Sequence, residues 1–250
     1  MIPRFYCPVT DVALAAGRLV ALPDAAAHHA LKVLRLRPGD ELVLFDGTGG
    51  EYPGRVADAG RKLSVMLDAW CDVECEAPLR ITLAQALPSG DKMDLVVQKA
   101  VELGVASIQP LEAKRSVVRL SGERAEKRIA HWRQVAVSAC EQSGRNRVPE
   151  VHGLLDLAHY LAVSPPAPVD EGAPLRLLLS PHQGVSLAEL SRPTGAVTLL
   201  VGPEGGFEAA EEAMARSVGF QPVRLGPRVL RTETAGLATL AAIMALWGDF

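Results

Sequence analysis

Two short loops in the last fifth of this 250-residue chain carry the residues best suited to hold a small molecule. The first is Gly202-Pro203-Glu204-Gly205-Gly206-Phe207, and the second runs Gly226-Pro227-Arg228-Val229-Leu230-Arg231-Thr232-Glu233-Thr234. Adjacent glycines before a helix leave backbone amides open to a bound group, as phosphate loops do. Here, however, Glu204, Glu208, Glu211 and Glu212 crowd the same helix start, and no Lys-Ser or Lys-Thr pair follows. The spacing is also not that of a dinucleotide fingerprint. A triphosphate or pyrophosphate would meet mostly negative charge, whereas a neutral or cationic nucleoside would not. The same glycines would equally serve simply to turn the chain.

The elements that must position these loops are legible around them. Val197–Val201 is a β-branched and leucine run ended by Gly and Pro, which predicts a buried strand entering a tight turn. Glu208–Val218 is acidic in its first turn and stops at Gly219, which predicts a helix. A second short strand is expected over Val223-Arg224-Leu225, and an alanine-rich helix over Ala235–Trp247. Both loops therefore follow strand ends, the place where ligands bind in open α/β sheets.

Upstream, strand and helix alternate in the manner of an α/β sheet. Leu79–Leu87 reads as a strand, and Asp91 as the cap of a helix whose Met93, Val96, Val97, Ala100 and Val101 form one buried stripe. Val105–Leu111 is the next strand, and Glu123–Gln142 a long helix with Ile129, Trp132, Val135, Ala136 and Ala139 inward. Ser164–Pro174 reads as a flexible surface insert. A domain boundary is expected at Asp72–Pro78, giving a β-rich unit over 1–72 and an α/β unit over 73–250. In the first unit, Glu41–Phe45 followed by Asp46-Gly47 predicts a strand and hairpin turn. Asp24–Leu34 reads as a helix, with Lys32, Arg35 and Arg37 clustered beside His28 and His29.

Composition narrows the function class. With 48% hydrophobic and 22% charged residues the chain is globular, and its longest uncharged apolar segment is too short to cross a bilayer. No signal peptide is expected. Cys7, Cys71, Cys75 and Cys140 lack metal-ligand spacing and read as free thiols in a reducing, cytoplasmic compartment, with no metal expected. Net charge is −3, yet Lys114–Arg147 holds nine basic residues against three acids. That window suits a phosphate-binding face, or a solvated helix laced with ion pairs.

Read together, Leu199–Phe207 and Leu225–Ala235 closely resemble the SPOUT methyltransferases, and within them the bacterial ribosomal RNA small subunit methyltransferase E family. The resemblance extends to Pro3-Arg4-Phe5, Gly90-Asp91-Lys92-Met93-Asp94, Gln98–Gly104 and Glu141-Gln142-Ser143-Gly144-Arg145-Asn146. It implies an α/β domain tied in a trefoil knot, a small N-terminal PUA-like barrel that helps grip RNA, and a homodimer. It also implies methylation of N3 of a uridine in 16S ribosomal RNA of the small subunit, with S-adenosylmethionine as methyl donor. A ribose 2′-O-methyltransferase of the same superfamily, or a non-catalytic RNA-binding assembly protein, are the competing expectations.

What that resemblance implies for individual residues follows from methyl transfer. The cofactor is expected against Leu87, Leu200, Gly202, Glu204, Gly205, Leu225, Gly226, Leu230, Thr232, Thr234 and Ala235, largely through backbone groups. Loss of the N3 proton calls for a cation near the base and a proton acceptor. Arg231 or Arg145 is expected as the cation and Glu233 as the acceptor, though Glu233 could instead fix Arg231 or cap the last helix. Arg4, Lys32, Arg35, Arg37, Lys92, Arg115 and Asn146 are the expected RNA contacts.

Overall fold

The computed structural model describes residues 2–9, 13–60, 63–163 and 172–250. The chain divides into two compact units, one formed by Met1–Glu76 with Val137–Val148, the other by Ala77–Ala136 with Pro149–Phe250.

The larger unit is built on strands whose side chains are buried on both faces, which is why they read as near-continuous apolar runs. These are β6 (Ile81–Ala86), β7 (Ser107–Glu112), β8 (Glu150–Val151), β9 (Leu155–Asp156), β10 (Leu175–Leu179), β11 (Val185–Ser186), β12 (Val197–Val201) and β13 (Gln221–Arg224). They form one sheet in the order β11-β13-β10-β12-β6-β7-β8, with β9 also on β7. Every pairing in it is parallel. Strands β12 and β6 lie side by side, in register from Val197–Ile81 to Val201–Gln85. From β6 the chain moves outward to β7, and from β12 it moves to the opposite side, to β13. This reversal makes the carboxyl ends of β6 and β12 the switch point where a crevice must open.

Helices fill the connections. Helix α2 (Lys92–Glu102) follows β6, and α3 (Gly122–Ser143) follows β7. Helix α4 (Leu157–Val163) precedes β10, α5 (Ala209–Ser217) joins β12 to β13, and α6 (Thr232–Trp247) closes the unit. The α2 stripe falls where its spacing put it, with Met93, Val96, Val97, Ala100 and Val101 all buried. Asp91 occupies the N-cap position but makes no capping hydrogen bond; its carboxylate accepts from Arg128 instead. Helix α6 starts at Thr232, three residues before the expected Ala235, because Thr232-Glu233-Thr234 forms its first turn. The insert expected over 164–174 lies for residues 164–171 outside the described residues.

The smaller unit carries a five-stranded sheet in the order β1-β3-β4-β5-β2. Its strands are β1 (Arg4–Tyr6), β2 (Leu19–Ala21), β3 (Glu41–Phe45), β4 (Tyr52–Ala59) and β5 (Leu63–Leu67). Only the β1–β3 pairing is parallel. A core of Phe5, Val20, Leu22, Leu42, Leu44, Val56, Leu63, Val65 and Leu67 sits against it. The helix expected at 24–34 begins as a short helix, α1 (Asp24–His28), and continues as a π-helical turn, His29–Val33. Arg35 then takes a positive φ of 58°. The last turns of α3 belong to this unit, and there Glu141 accepts the Tyr6 backbone N–H at 3.0 Å.

Among the described residues no helix is long and apolar enough to cross a membrane, and none of the four cysteines is in a disulfide.

Candidate functional site

A cavity of about 380 Å³ opens at the carboxyl ends of β10, β12 and β13. The β12 loop contributes Gly202, Pro203, Glu204, Gly206 and Phe207, and the β13 loop Leu225, Gly226 and the run Arg228–Thr232, with Ala235 beyond. Lys92, at the start of α2, completes the lining on one side, and Leu179-Ser180-Pro181 on another. Gly226 has φ +88°, a conformation that favours glycine, so the β13 loop can turn there without strain. The walls are mostly apolar, with the Phe207 ring among them, and Lys92, Ser180, Glu204, Glu212, Arg228, Arg231 and Thr232 bring polar side chains. Arg228 and Arg231 are exposed, and neither enters an ion pair among the described residues.

Two braces hold these loops. The buried one begins at Gln85, fully buried on β6. Its amide Nε2 donates to Thr232 Oγ1 at 3.0 Å, and Thr232 Oγ1 donates to the Gly202 carbonyl at 2.5 Å. One hydrogen-bonded chain thus ties β6, the first loop and the first turn of α6. The second brace lies on the solvent side. Glu204 Oε1 accepts Ser89 N–H at 2.9 Å, Ser89 Oγ at 2.6 Å and Lys92 Nζ at 3.1 Å. Burial pushes the Glu204 carboxyl up, but the hydrogen bonds from Ser89, its own backbone N–H and Lys92 outweigh it and hold the group down at about 2. Lys92 Nζ also lies 3.6 Å from Glu233 Oε2, which makes no hydrogen bond.

The base of the first loop is fixed by α5 and by the β7 loop. Glu208 and Glu211 form a capping box, and buried Glu211 also accepts the Lys114 backbone N–H at 2.8 Å. Arg115 Nη1 donates to the Gly205 carbonyl at 3.0 Å. A Cβ on Gly205 would stand 3.2 Å from Arg115 Cβ, so the two segments approach as closely as glycine permits.

Of the expected cofactor residues, the cavity is lined by Gly202, Glu204, Leu225, Gly226, Leu230, Thr232 and Ala235. Leu87 and Leu200 are buried core side chains, Gly205 faces Arg115, and Thr234 is exposed on the first turn of α6. Arg231 lines the cavity; Glu233 is not among its lining residues but lies 3.6 Å from the ammonium of Lys92, which is. In the smaller unit, Arg145 is 4% exposed and grips Glu76 with two hydrogen bonds, Nε at 3.0 Å and Nη2 at 2.5 Å. Arg4 is bound by Glu51 at 2.5 Å and by Asn146, whose amide also donates to the Val73 carbonyl. Arg4, Arg145 and Asn146 are thus internal cross-links of that unit, whereas Lys32, Arg35 and Arg37 are exposed on it.

Sequence reasoning overlooked Leu179-Ser180-Pro181 and Gln85. The first was findable, because β10 is a parallel strand stopped by Ser-Pro and its end belongs to the same crevice. Gln85 gave one signal only, an amide inside the otherwise apolar run Ile81–Ala86.

Comparison with known proteins matches these features. A family model described as an RNA methyltransferase domain covers residues 75–244, and one described as an RNA methyltransferase PUA domain covers residues 22–65. The ribosomal RNA small subunit methyltransferase E of Bacillus subtilis is 31% identical over 246 residues, with 96% of this chain and 95% of the relative covered. Its counterpart in Mycobacterium tuberculosis is 34% identical, with 92% and 87% covered. Among solved structures, a ribosomal RNA small subunit methyltransferase E from Neisseria gonorrhoeae bound to S-adenosyl methionine is 42% identical over all of both chains, with a TM-score of 0.89. A methyltransferase from Legionella pneumophila, solved with bound SAM, is 34% identical over all of both chains, with a TM-score of 0.92. The all-parallel sheet with its intervening helices makes the larger unit an α/β domain, and the two family models make it an RNA methyltransferase domain in a chain that also carries a PUA-like unit. The chain belongs to the ribosomal RNA small subunit methyltransferase E family.

Proposed function

We propose that this protein transfers a methyl group from S-adenosylmethionine to N3 of a uridine in 16S ribosomal RNA of the small subunit. The observation that carries this reading is the cavity of about 380 Å³ at the carboxyl ends of β10, β12 and β13, walled by both glycine loops. Its size suits a small ligand, and its mostly apolar lining with Glu204 and Glu212 among the polar groups suits an adenosine and a cationic sulfonium chain rather than a phosphate. Gly202, Glu204, Leu225, Gly226, Leu230, Thr232 and Ala235 would hold it, while Leu87, Leu200, Gly205 and Thr234 would act through the backbone or by packing.

When bound, the cofactor supplies an electrophilic methyl carbon. The chain's own residues must orient the uracil, exclude water and manage its N3 proton. The Arg231 guanidinium, exposed at the cavity wall, would sit against the anionic uracil, and the Glu233 carboxylate would accept the proton. The internal pairing of Arg145 with Glu76 leaves Arg231 as the stronger candidate for that cation. Lys32, Arg35, Arg37 and Arg115 would contact RNA phosphates, with Arg4 and Asn146 shaping the unit that presents them.

Three further features belong to the same proposal: a trefoil knot in the C-terminal region, a homodimer and a cytoplasmic location. Helix α6 is apolar on nearly every side, and Leu246 is 48% exposed, which supports a partner covering that helix.

The test is nucleoside mass analysis of ribosomal RNA from cells lacking the gene, complemented with wild type or Arg231→Ala. Loss of 3-methyluridine that only the wild type restores is expected. Unchanged 3-methyluridine with a missing ribose methylation would overturn the N3 assignment. No change in any methylated nucleoside would overturn catalysis itself.

A further inference from the structure

Lys92 stands between two carboxylates that come from different loops. Its Nζ is 3.1 Å from Glu204 Oε1 and 3.6 Å from Glu233 Oε2. The two carboxylates are held very differently. Glu204 has both donors of Ser89 in addition to Lys92, so it keeps its place without the ammonium. Glu233 is only 12% exposed on its side chain, and its Oε2 is buried with no hydrogen bond. Lys92 is the cation the structure sets against it. A buried carboxylate oxygen with no hydrogen bond is oriented only by a charge set near it.

The Lys92 stem starts at the first residue of α2, and its head lines the cavity. Ser89 and Glu204 stand at the ends of neighbouring strands β6 and β12, and Glu233 lies in the first turn of α6. The ammonium therefore bridges the loop after β12 and the first turn of α6. A lysine serving only to attract RNA would be expected to extend into solvent. This one is folded back over two acids, with its side chain 31% exposed.

We infer that Lys92 is a positioning residue acting through Glu233: its ammonium, anchored on Glu204, holds the Glu233 carboxylate in the orientation from which it receives a proton. This rests on Glu233 being the proton acceptor, and it assigns Lys92 a task other than contact with RNA. Because the two residues act as one unit, their effects on turnover must not multiply.

The experiment is a double-mutant cycle in the full-length protein. Lys92→Met, Lys92→Arg, Glu233→Gln and the Lys92→Met/Glu233→Gln pair are compared by kcat and KM on small-subunit RNA at saturating S-adenosylmethionine. Thermal unfolding of each variant identifies any that is misfolded. Lys92→Met is expected to lower kcat about tenfold, the low end of what proton-transfer groups contribute. Lys92→Arg should recover part of that loss, and the double variant should be no slower than Glu233→Gln alone. Multiplying effects on kcat, or a Lys92→Met effect confined to KM for RNA, would overturn the role of Lys92 while leaving Glu233 as the acceptor. Full turnover in Glu233→Gln would instead overturn the acceptor assignment, and the inference with it. If Lys92→Met is misfolded, Lys92→Gln and its pair with Glu233→Gln replace it in the cycle.

Discussion

Gln85 and Thr232 are 147 positions apart in sequence and joined by one 3.0 Å hydrogen bond. Thr232 passes the bond on to the Gly202 carbonyl, so its hydroxyl serves as acceptor and donor at once. Neither residue has water to fall back on, since Gln85 is fully buried and Thr232 nearly so.

Thr232→Val keeps the shape and removes both bonds. It leaves an amide proton and a carbonyl unpaired in the interior, which should cost about 1–3 kcal/mol. Urea unfolding reads that loss directly. The same variant should bind S-adenosylmethionine more weakly by calorimetry, because Gly202 is freed at the cavity wall.

Glu204 predicts a pH signature. Its carboxyl is held down at about 2 in the folded protein, below the unfolded value of about 4.3. The folded state therefore binds fewer protons there, and the stability this provides is present above the unfolded value and lost as pH falls toward 2. Wild type should exceed Glu204→Gln in stability at pH 7, and the gap should narrow at pH 3.5. Urea titrations of both proteins at the two pH values check this; a gap that widens on acidification would contradict it.

Arg145 separates a chemical role from a structural one. Removing it as Arg145→Met leaves Glu76 without its bidentate partner, and breaking a buried pair should cost about 3 kcal/mol. Unfolding of the variant should show that loss. Wild-type stability together with abolished methyl transfer would instead return Arg145 to the chemistry.

The cysteines should differ sharply in reactivity. Burial pushes the Cys140 thiol up to about 12, and Cys7 is equally inaccessible, whereas Cys75 is exposed. Iodoacetamide at pH 8 should label Cys75 first and leave Cys7 and Cys140 untouched until the chain is unfolded. Peptide mass spectrometry after timed quenching measures the order.

Local pattern made much of this architecture readable. The stripe on α2 and the β12 strand are set by burial on one face or on both, and burial leaves a period in the sequence. The two-residue strands β8 and β9 are too short to have a period, and they went unread. Charge was legible in kind but not in use. Arg4, Arg145 and Arg147 belong to a basic pattern that suits RNA, yet Glu51, Glu76 and Glu74 reach them from distant parts of the same unit. Which acid meets which arginine is decided by the tertiary fold, which spacing along the chain does not encode. The glycine loops could be found because their residue types are unusual, whereas Gln85 could not, because its importance lies in a partner 147 residues away.

The cavity draws on residues from Lys92 to Ala235, and its last wall, Leu225–Ala235, is made late. A growing chain reads out in order from its first residue. Strands β6, β7, β10 and β12 therefore exist before anything can occupy the space beside them. A polypeptide interrupted after Leu225 would contain every strand of its sheet but neither the Gln85 anchor's partner nor the second loop. Such a fragment would lack the wall that Gly226–Ala235 supplies, so the cavity is complete only once synthesis has passed the second loop.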